Sequence, residues 1–380
     1  MKTVRENCSL PGSEYERRLR VVRRGMDEND LDALIVYSWK RGQVRYISGY
    51  QPDYVANVAM VVVPKEGEPV LLIRFPFDLE RARRCTWLED VRVSGDWSGF
   101  VRDCRQILTE KRIDESRIGL ISGDFVVNEM PFTLYQALTS SMPGTCFIPA
   151  ISIFEKARLI KSDTECRCIK LSAEIADQAV ISARNLISHG RTEYEVTATA
   201  EKTARERGAE DYLAVIAPGS SELIRPPEPR SIELDEMVVF EFAVQAAGYW
   251  TQTACVFHSG KPTEEQREMY RVAYEGYRAG VDAARPGNTI SDIAKAELSV
   301  LERAGWLKWR EYDLGHGDGL DHPEIPAIAP ENDTVVKPGM VLCLHPGLRK
   351  PGVGGAFVGG MVIVGEDKTE PLNSVPPEIS

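Results

Sequence analysis

The sequence contains five histidines, and two of them stand where proton chemistry could be done. His316 is enclosed in Gly315-His316-Gly317-Asp318-Gly319. Glycines there let the backbone pass close to a ligand, and an imidazole near neutrality can move a proton at a scissile nitrogen. The plain alternative is a loop histidine that hydrogen-bonds the backbone. His345 ends the apolar run Val341–Leu344. There the choice lies between a buried ring satisfied by a neighbour and an acid/base or orienting group. Two histidines facing one pocket depress each other's pKa, which leaves one neutral as a base.

Glu241 follows the apolar run Met237–Phe240. A buried carboxylate without a partner is costly, so this one needs a partner or a ligand. Gln252 can donate or accept a hydrogen bond. His322 and Glu324 lie in a loop stiffened by Pro323 and Pro326, with Asp318 and Asp321 as weaker candidates. Arg225 sits in a proline-rich stretch, and its guanidinium suits a carboxylate bidentately unless it is merely an exposed loop arginine. Tyr249 and Trp250 follow Gly248 and read as packing residues or as an aromatic wall for a cation.

These residues must be positioned by alternating elements. A charged amphipathic helix is expected over Glu14–Asn29, then a strand in LDALIVYS from Leu31 and a glycine turn closing VRYISGY. Two strands joined at Lys65-Glu66-Gly67, and a further helix and strand, complete an α/β pattern. From Ile153 the pattern changes. Residues 161–208 carry helical periodicity broken at Ser188-His189-Gly190, followed by a β-hairpin over DEMVVFEFAVQAAGYWTQTACVF. Helices over Thr263–Ala284 and Ile290–Ala304, the His/Gly loop and the strands GMVLCLHP and FVGGMVIV follow. Helix, hairpin, helices, hairpin reads as a pseudo-repeated α+β unit.

The chain has 380 residues, 43% hydrophobic and 27% charged, which suffices for two domains with buried cores. A net charge of -11 argues against nucleic-acid and anionic-membrane partners. Neither a membrane span nor a signal peptide is expected, and the cytoplasm is the default location. The eight cysteines are scattered, and the pair Cys166 and Cys168 has no second pair to complete a zinc site, so reduced thiols are expected.

Taken in order, LDALIVYS, VRYISGY, KARLIKSDTECRCIKLSAEIAD, ARPGNTISDI, LGHGDGLDHPEIP and VVKPGMVLCLHPG resemble the successive blocks of the creatinase/aminopeptidase P, or pita-bread, superfamily. The resemblance implies an α/β creatinase-like N-terminal domain over 1–153 and an α+β pita-bread catalytic domain over 154–380. The family's peptidases bind two metal ions through Asp, Asp, His, Glu and Glu. On those positions this sequence places Glu241, Gln252, His316 and His345, with the last falling at or beside Gly359, so only His316 keeps the family residue.

The resemblance departs from creatinase as well. Ile224 and Arg225 stand where its catalytic histidine is expected, and Ala254 and His345 replace two glutamates. The family's second, substrate-side histidine falls at Pro323 or, with a one-residue slip, at His322. The loop Tyr54–Asn57 occupies the region that reaches the partner subunit's site in creatinase.

These substitutions lead to the expectation of a metal-independent, creatinase-like hydrolase that needs no cofactor. It would cleave a C–N bond of a small, carboxylate-bearing amide, amidine or urea-like compound. His316, His345 and Glu241 are the expected catalytic residues. Arg225, Gln252, His322, Glu324 and Tyr249 are expected to bind substrate, and the chain is expected to form a homodimer. The alternatives are an Xaa-Pro peptidase or single-metal hydrolase using Glu241, His316 and His345, a lyase acting by proton abstraction, and a non-catalytic binding module.

Overall fold

The computed structural model describes residues 10–39, 41–52, 55–113, 116–123 and 127–379; Cys8 and Tyr54 lie outside them. They form two compact units that divide between Arg158 and Leu159. The division falls at the end of the helix Ile151–Leu159, which runs on past the composition change at Ile153.

In the first unit, the helix Gly12–Glu28 buries Leu19, Val22 and Met26, the apolar positions at helical spacing. Strands β1 (Ala33–Ser38), β2 (Ala59–Pro64), β3 (Val70–Ile73), β4 (Asp90–Val93), β5 (Arg117–Ile121) and β6 (Cys146–Pro149) form one sheet in the order β4-β3-β2-β1-β5-β6. Contacts β1–β2 and β2–β3 are antiparallel, and the others are parallel. The three central strands β1, β2 and β3 are buried at every residue. Both faces are covered, so they read as unbroken apolar runs. Within the VRYISGY segment, Gln43–Ser48 is a short helix ended by Gly49 at φ 80°.

The second unit opens with helices Asp163–Arg184 and Glu193–Glu206. Ser162/Glu165 and Thr192/Glu195 capping boxes start them and account for the break between. Strands β7 (Asp211–Pro218), β8 (Met237–Ala246) and β9 (Tyr249–His258) follow, then helices Glu264–Ala283 and Ile290–Arg303. The remaining strands are β10 (Gly315–Gly317), β11 (Glu324–Ala327), β12 (Val341–Leu344), β13 (Gly347–Lys350), β14 (Gly354–Phe357), β15 (Gly359–Val364) and β16 (Thr369–Pro371). The main sheet runs β11-β10-β12-β15-β9-β8-β7, with β16 beside β15 and a separate β13–β14 ribbon. The two hairpins expected from the sequence thus lie side by side, through the β9–β15 contact, in one sheet. No described helix is long and apolar enough to cross a membrane.

Helices Glu264–Ala283 and Ile290–Arg303 meet where Gly280 faces Glu297; a Cβ on Gly280 would lie 2.3 Å from Glu297 Oε1. Both Glu297 oxygens are buried without a hydrogen-bond partner among the described residues, and burial holds the carboxyl well above its usual pKa. The native state keeps this proton while the unfolded chain releases it, so stability is lost as pH rises above the unfolded pKa. Each tenfold difference in proton affinity between the two states is worth about 1.4 kcal/mol. Glu297→Gln should therefore melt above the wild type by a few degrees at pH 8. The gap should close toward pH 4.5; an equal gap at both pH values would contradict the assignment.

Candidate active site

The β8–β9 hairpin turns at Ala247 and Gly248, with φ 51° and 89°, a left-handed pair matched to strand twist. In this register Glu241 lies opposite Ala254 and Gln252 opposite Ala243, which puts both on one face. Gln252 Nε2 donates to Glu241 Oε1 at 2.7 Å. Phe240 and Phe242 alternate onto the other face, into the core beneath the helices Asp163–Arg184 and Glu193–Glu206. Glu241 is 4% exposed, and its Oε2 has no hydrogen-bond partner among the described residues. Burial pushes its carboxyl up to about 7 despite the opposing pull of His322 and Gln252.

His316 is on β10, pairing with Cys343 of β12. The flanking glycines are steric requirements: a Cβ on Gly315 would lie 2.1 Å from Cys343 O, and one on Gly317 2.1 Å from Ile325 O. The His316 Nδ1–H donates to Gly317 O at 2.9 Å. Its ring centroid is 5.2 Å from that of His322 and 5.2 Å from that of His345. Burial, then the charges of His345 and His322, hold His316 down to about 3. His345, fully buried at the end of β12, is held down to about 4, chiefly by burial. Both rings are neutral at physiological pH.

Neither nitrogen of His345 has a hydrogen-bond partner among the described residues, although Asp313 Oδ1 stands 3.5 Å from Nδ1. Burial raises Asp313 to about 6. The His322 Nδ1–H donates to Asp318 Oδ2 at 3.1 Å, and the ring stacks on Trp250 with 5.8 Å between centroids. His316, Asp318 and His322 offer ligand atoms that lie within 4.8 Å of one another.

The structure thus brings Glu241, Gln252, His316, His322 and His345 together, with Asp318 beside them. Three expected substrate-binding residues are engaged elsewhere. Arg225 forms a bidentate pair with the fully buried Glu193, both contacts 2.6 Å, so its guanidinium is committed within the chain. The Tyr249 hydroxyl donates to Glu165 Oε1 at 3.1 Å, at the start of the helix Asp163–Arg184; the neighbouring Trp250 reaches the histidines instead. Glu324 accepts from Lys161 Nζ at 2.9 Å and from the Asp321 backbone N–H at 3.0 Å. Sequence reasoning missed Asp313 and Lys161. Asp313 lies three residues before His316, a proximity that could have marked it; Lys161 meets Glu324 across 163 positions of chain and gives no local signal.

Residues 167–366 match the model of metallopeptidase family M24, and residues 18–160 match that of the creatinase/prolidase N-terminal domain. An Xaa-Pro dipeptidase from Pyrococcus horikoshii is 25% identical over 360 residues, covering 93% of this chain and 96% of its own. An Xaa-Pro dipeptidase from Lactobacillus delbrueckii subsp. lactis is 25% identical over 364 residues, with coverages of 93% and 96%. The solved prolidase from Pyrococcus furiosus superposes with a TM-score of 0.81 at 25% identity, over 93% of this chain and 99% of that one. These matches overturn the expectation of a metal-independent hydrolase of non-peptide C–N bonds, because the family is one of metallopeptidases and the matched relatives are dipeptidases. The expected pita-bread architecture stands, and the chain belongs to metallopeptidase family M24.

Proposed function

We propose that this protein hydrolyses short peptides of the Xaa-Pro dipeptide type. Its M24 family and its Xaa-Pro dipeptidase relatives support that class of substrate. The observation that carries the reading is Glu241: a buried carboxyl poised at about 7, with Oε1 fixed by Gln252 and Oε2 unpartnered among the described residues, beside neutral imidazoles. A general base is most effective when its pKa lies near the working pH. Glu241 Oε2 takes the proton from the attacking water, and Gln252 holds the carboxylate in register. As the C–N bond breaks, the Glu241 carboxyl returns that proton to the departing imino nitrogen, while the N–H of the neutral His345 ring donates to the developing oxyanion.

The bridged metal pair implied by the resemblance does not fit this site. Two divalent ions side by side need several anionic oxygens to offset their repulsion. Of Glu241, Gln252, His316, His345 and Gly359, only Glu241 carries one. Nor can Gly359 carry a carboxylate in this backbone, since a Cβ there would lie 1.8 Å from Leu344 O.

The test is release of free proline from a panel of Xaa-Pro dipeptides, run beside non-proline dipeptides. Turnover of the Xaa-Pro set at least tenfold above the non-proline set is expected. If neither set is cleaved, with Co2+, Mn2+ or Zn2+ supplied, the reading is wrong.

A further inference from the structure

Two carboxyls of the site face one another without a cation between them. The charge of Asp313 opposes ionisation of Glu241. Among the described residues, neither pairs with a lysine or arginine. Glu241 is held by the amide of Gln252, and Arg310, whose charge reaches Asp313, gives its Nη1 to Tyr312 O at 3.0 Å. The Gly315 backbone N–H and the more distant His322 are the other groups that favour the Asp313 charge. Like charges sharing a site resist joint ionisation, and a cation placed beside them relieves that.

A second observation points to a ligand at Asp313. Its Oδ1 faces His345 Nδ1 at 3.5 Å without a hydrogen bond, and neither nitrogen of that fully buried ring has a partner among the described residues. A donor bound at Oδ1 stands within reach of Nδ1 as well. Two aromatic rings flank the pair: Phe357 and Tyr312 have centroids 4.8 Å and 6.3 Å from that of His345, and they meet edge to face. Tyr312 holds φ 77°, which a bulky residue rarely adopts. The Asp313 side chain is 52% exposed, so it is the end of this cluster that meets a ligand from solvent. Water could satisfy the acceptors but not the charge; a positive group with several N–H donors does both.

We propose that Asp313 and His345 form a subsite for a primary ammonium group, the free α-amino end of the substrate, and that Asp313 sets the preference for substrates that carry one. The assignment of that amine to a dipeptide rests on the peptidase reading; the subsite itself does not. One ammonium N–H donates to Asp313 Oδ1 and another to the His345 Nδ1 lone pair. The ring's own proton then sits on Nε2, the N–H that donates to the developing oxyanion. A compound without the amine leaves two acceptors facing each other unsatisfied, and a site built to bond one group rejects analogues that lack it.

The experiment titrates the full chain with L-leucinamide and with isocaproamide, which is leucinamide without its amino group. Affinities are read by calorimetry at pH 7, below the ordinary α-amino pKa. EDTA is present, so that an amine–metal contact cannot supply the preference. The wild type should bind leucinamide at least tenfold more tightly than isocaproamide, and Asp313→Asn should abolish the difference. Glu311→Gln should keep it, because Glu311 is tied to Arg349 Nε at 2.6 Å and shares only the general negative field. Equal affinities in the wild type, no binding of leucinamide, a preference that survives Asp313→Asn, or one that Glu311→Gln also removes would each overturn the proposal. If Asp313→Asn does not fold, the wild-type comparison decides. A second arm compares hydrolysis of Leu-Pro and isocaproyl-proline. Equal kcat/KM for the two would overturn the subsite and leave the peptidase reading standing, whereas an amine preference in binding with neither compound cleaved would do the reverse.

Discussion

Glu241→Gln should lower dipeptide turnover by about 10²–10⁴-fold, with KM little changed, because it removes a base and keeps its shape. Gln252 Nε2 can still donate to the new side chain as it does to Glu241 Oε1. The same substitution has a separate signature in stability. In the fold Glu241 is held at about 7, against 4.5 for an ordinary glutamate. Below pH 4.5 both native and unfolded states are protonated. Between 4.5 and 7 only the unfolded chain ionises, and the native state loses ground; above 7 the loss is constant. At about 1.4 kcal/mol for each pH unit crossed in that window, the loss amounts to about 3 kcal/mol. The melting temperature of the EDTA-treated variant minus that of the wild type should therefore rise by roughly 5 °C from pH 4.5 to pH 7.5. Taking the difference cancels the opposite acid sensitivity of His316 and His345, both held low by burial. A pH-independent difference, or full activity in the variant, would exclude Glu241 as the base.

Arg225→Ala is expected to destabilise the protein by about 3–5 kcal/mol, the range for leaving one member of a buried pair uncompensated. Glu193 is fully buried and takes both arms of the guanidinium at 2.6 Å. Its Oε2 also accepts from the Glu228 backbone N–H at 2.8 Å, a bond that cannot by itself neutralise the charge. Arg225→Lys should recover little, because an ammonium cannot reproduce the planar fork. Arg225→Met combined with Glu193→Leu should recover most of the loss, since no buried charge remains. The competing role, an anchor for a substrate carboxylate, predicts the reverse: a raised KM with an unchanged melting temperature. A melting curve and a Michaelis curve on one variant separate the two.

Much of the architecture could be read along the chain because it is enforced locally. Apolar runs without alternation mark β1, β2 and β3, strands covered on both sides. The break at Ser188–Gly190 separates two helices, the second opened by the Thr192/Glu195 capping box. Strand β7 and the β13–β14 ribbon were not legible. They are stabilised by pairing with neighbours more than by a pattern of their own, and their sequences are short or mixed.

For the site, residue types fixed the chemistry available: histidine between close-packed glycines, a carboxylate and an amide on facing strands, a histidine closing an apolar strand. The rule of alternation was enough to set Glu241 and Gln252 on one face once the hairpin register was known. Which of two adjacent aromatics faces the histidines was not encoded locally. Tyr249 and Trp250 point to opposite sides of β9, and only the packing of the helix Asp163–Arg184 against one side decides that Tyr249 belongs to the helix and Trp250 to the site. Likewise the ion pairs Arg225–Glu193 and Lys161–Glu324 form between segments far apart in sequence. The sequence by itself determined which groups could carry protons or ligate an ion. The tertiary structure decided which of them remain unsatisfied, because burial and long-range pairing assign each charge its partner, and only a polar atom left without one has bonding capacity to offer a ligand.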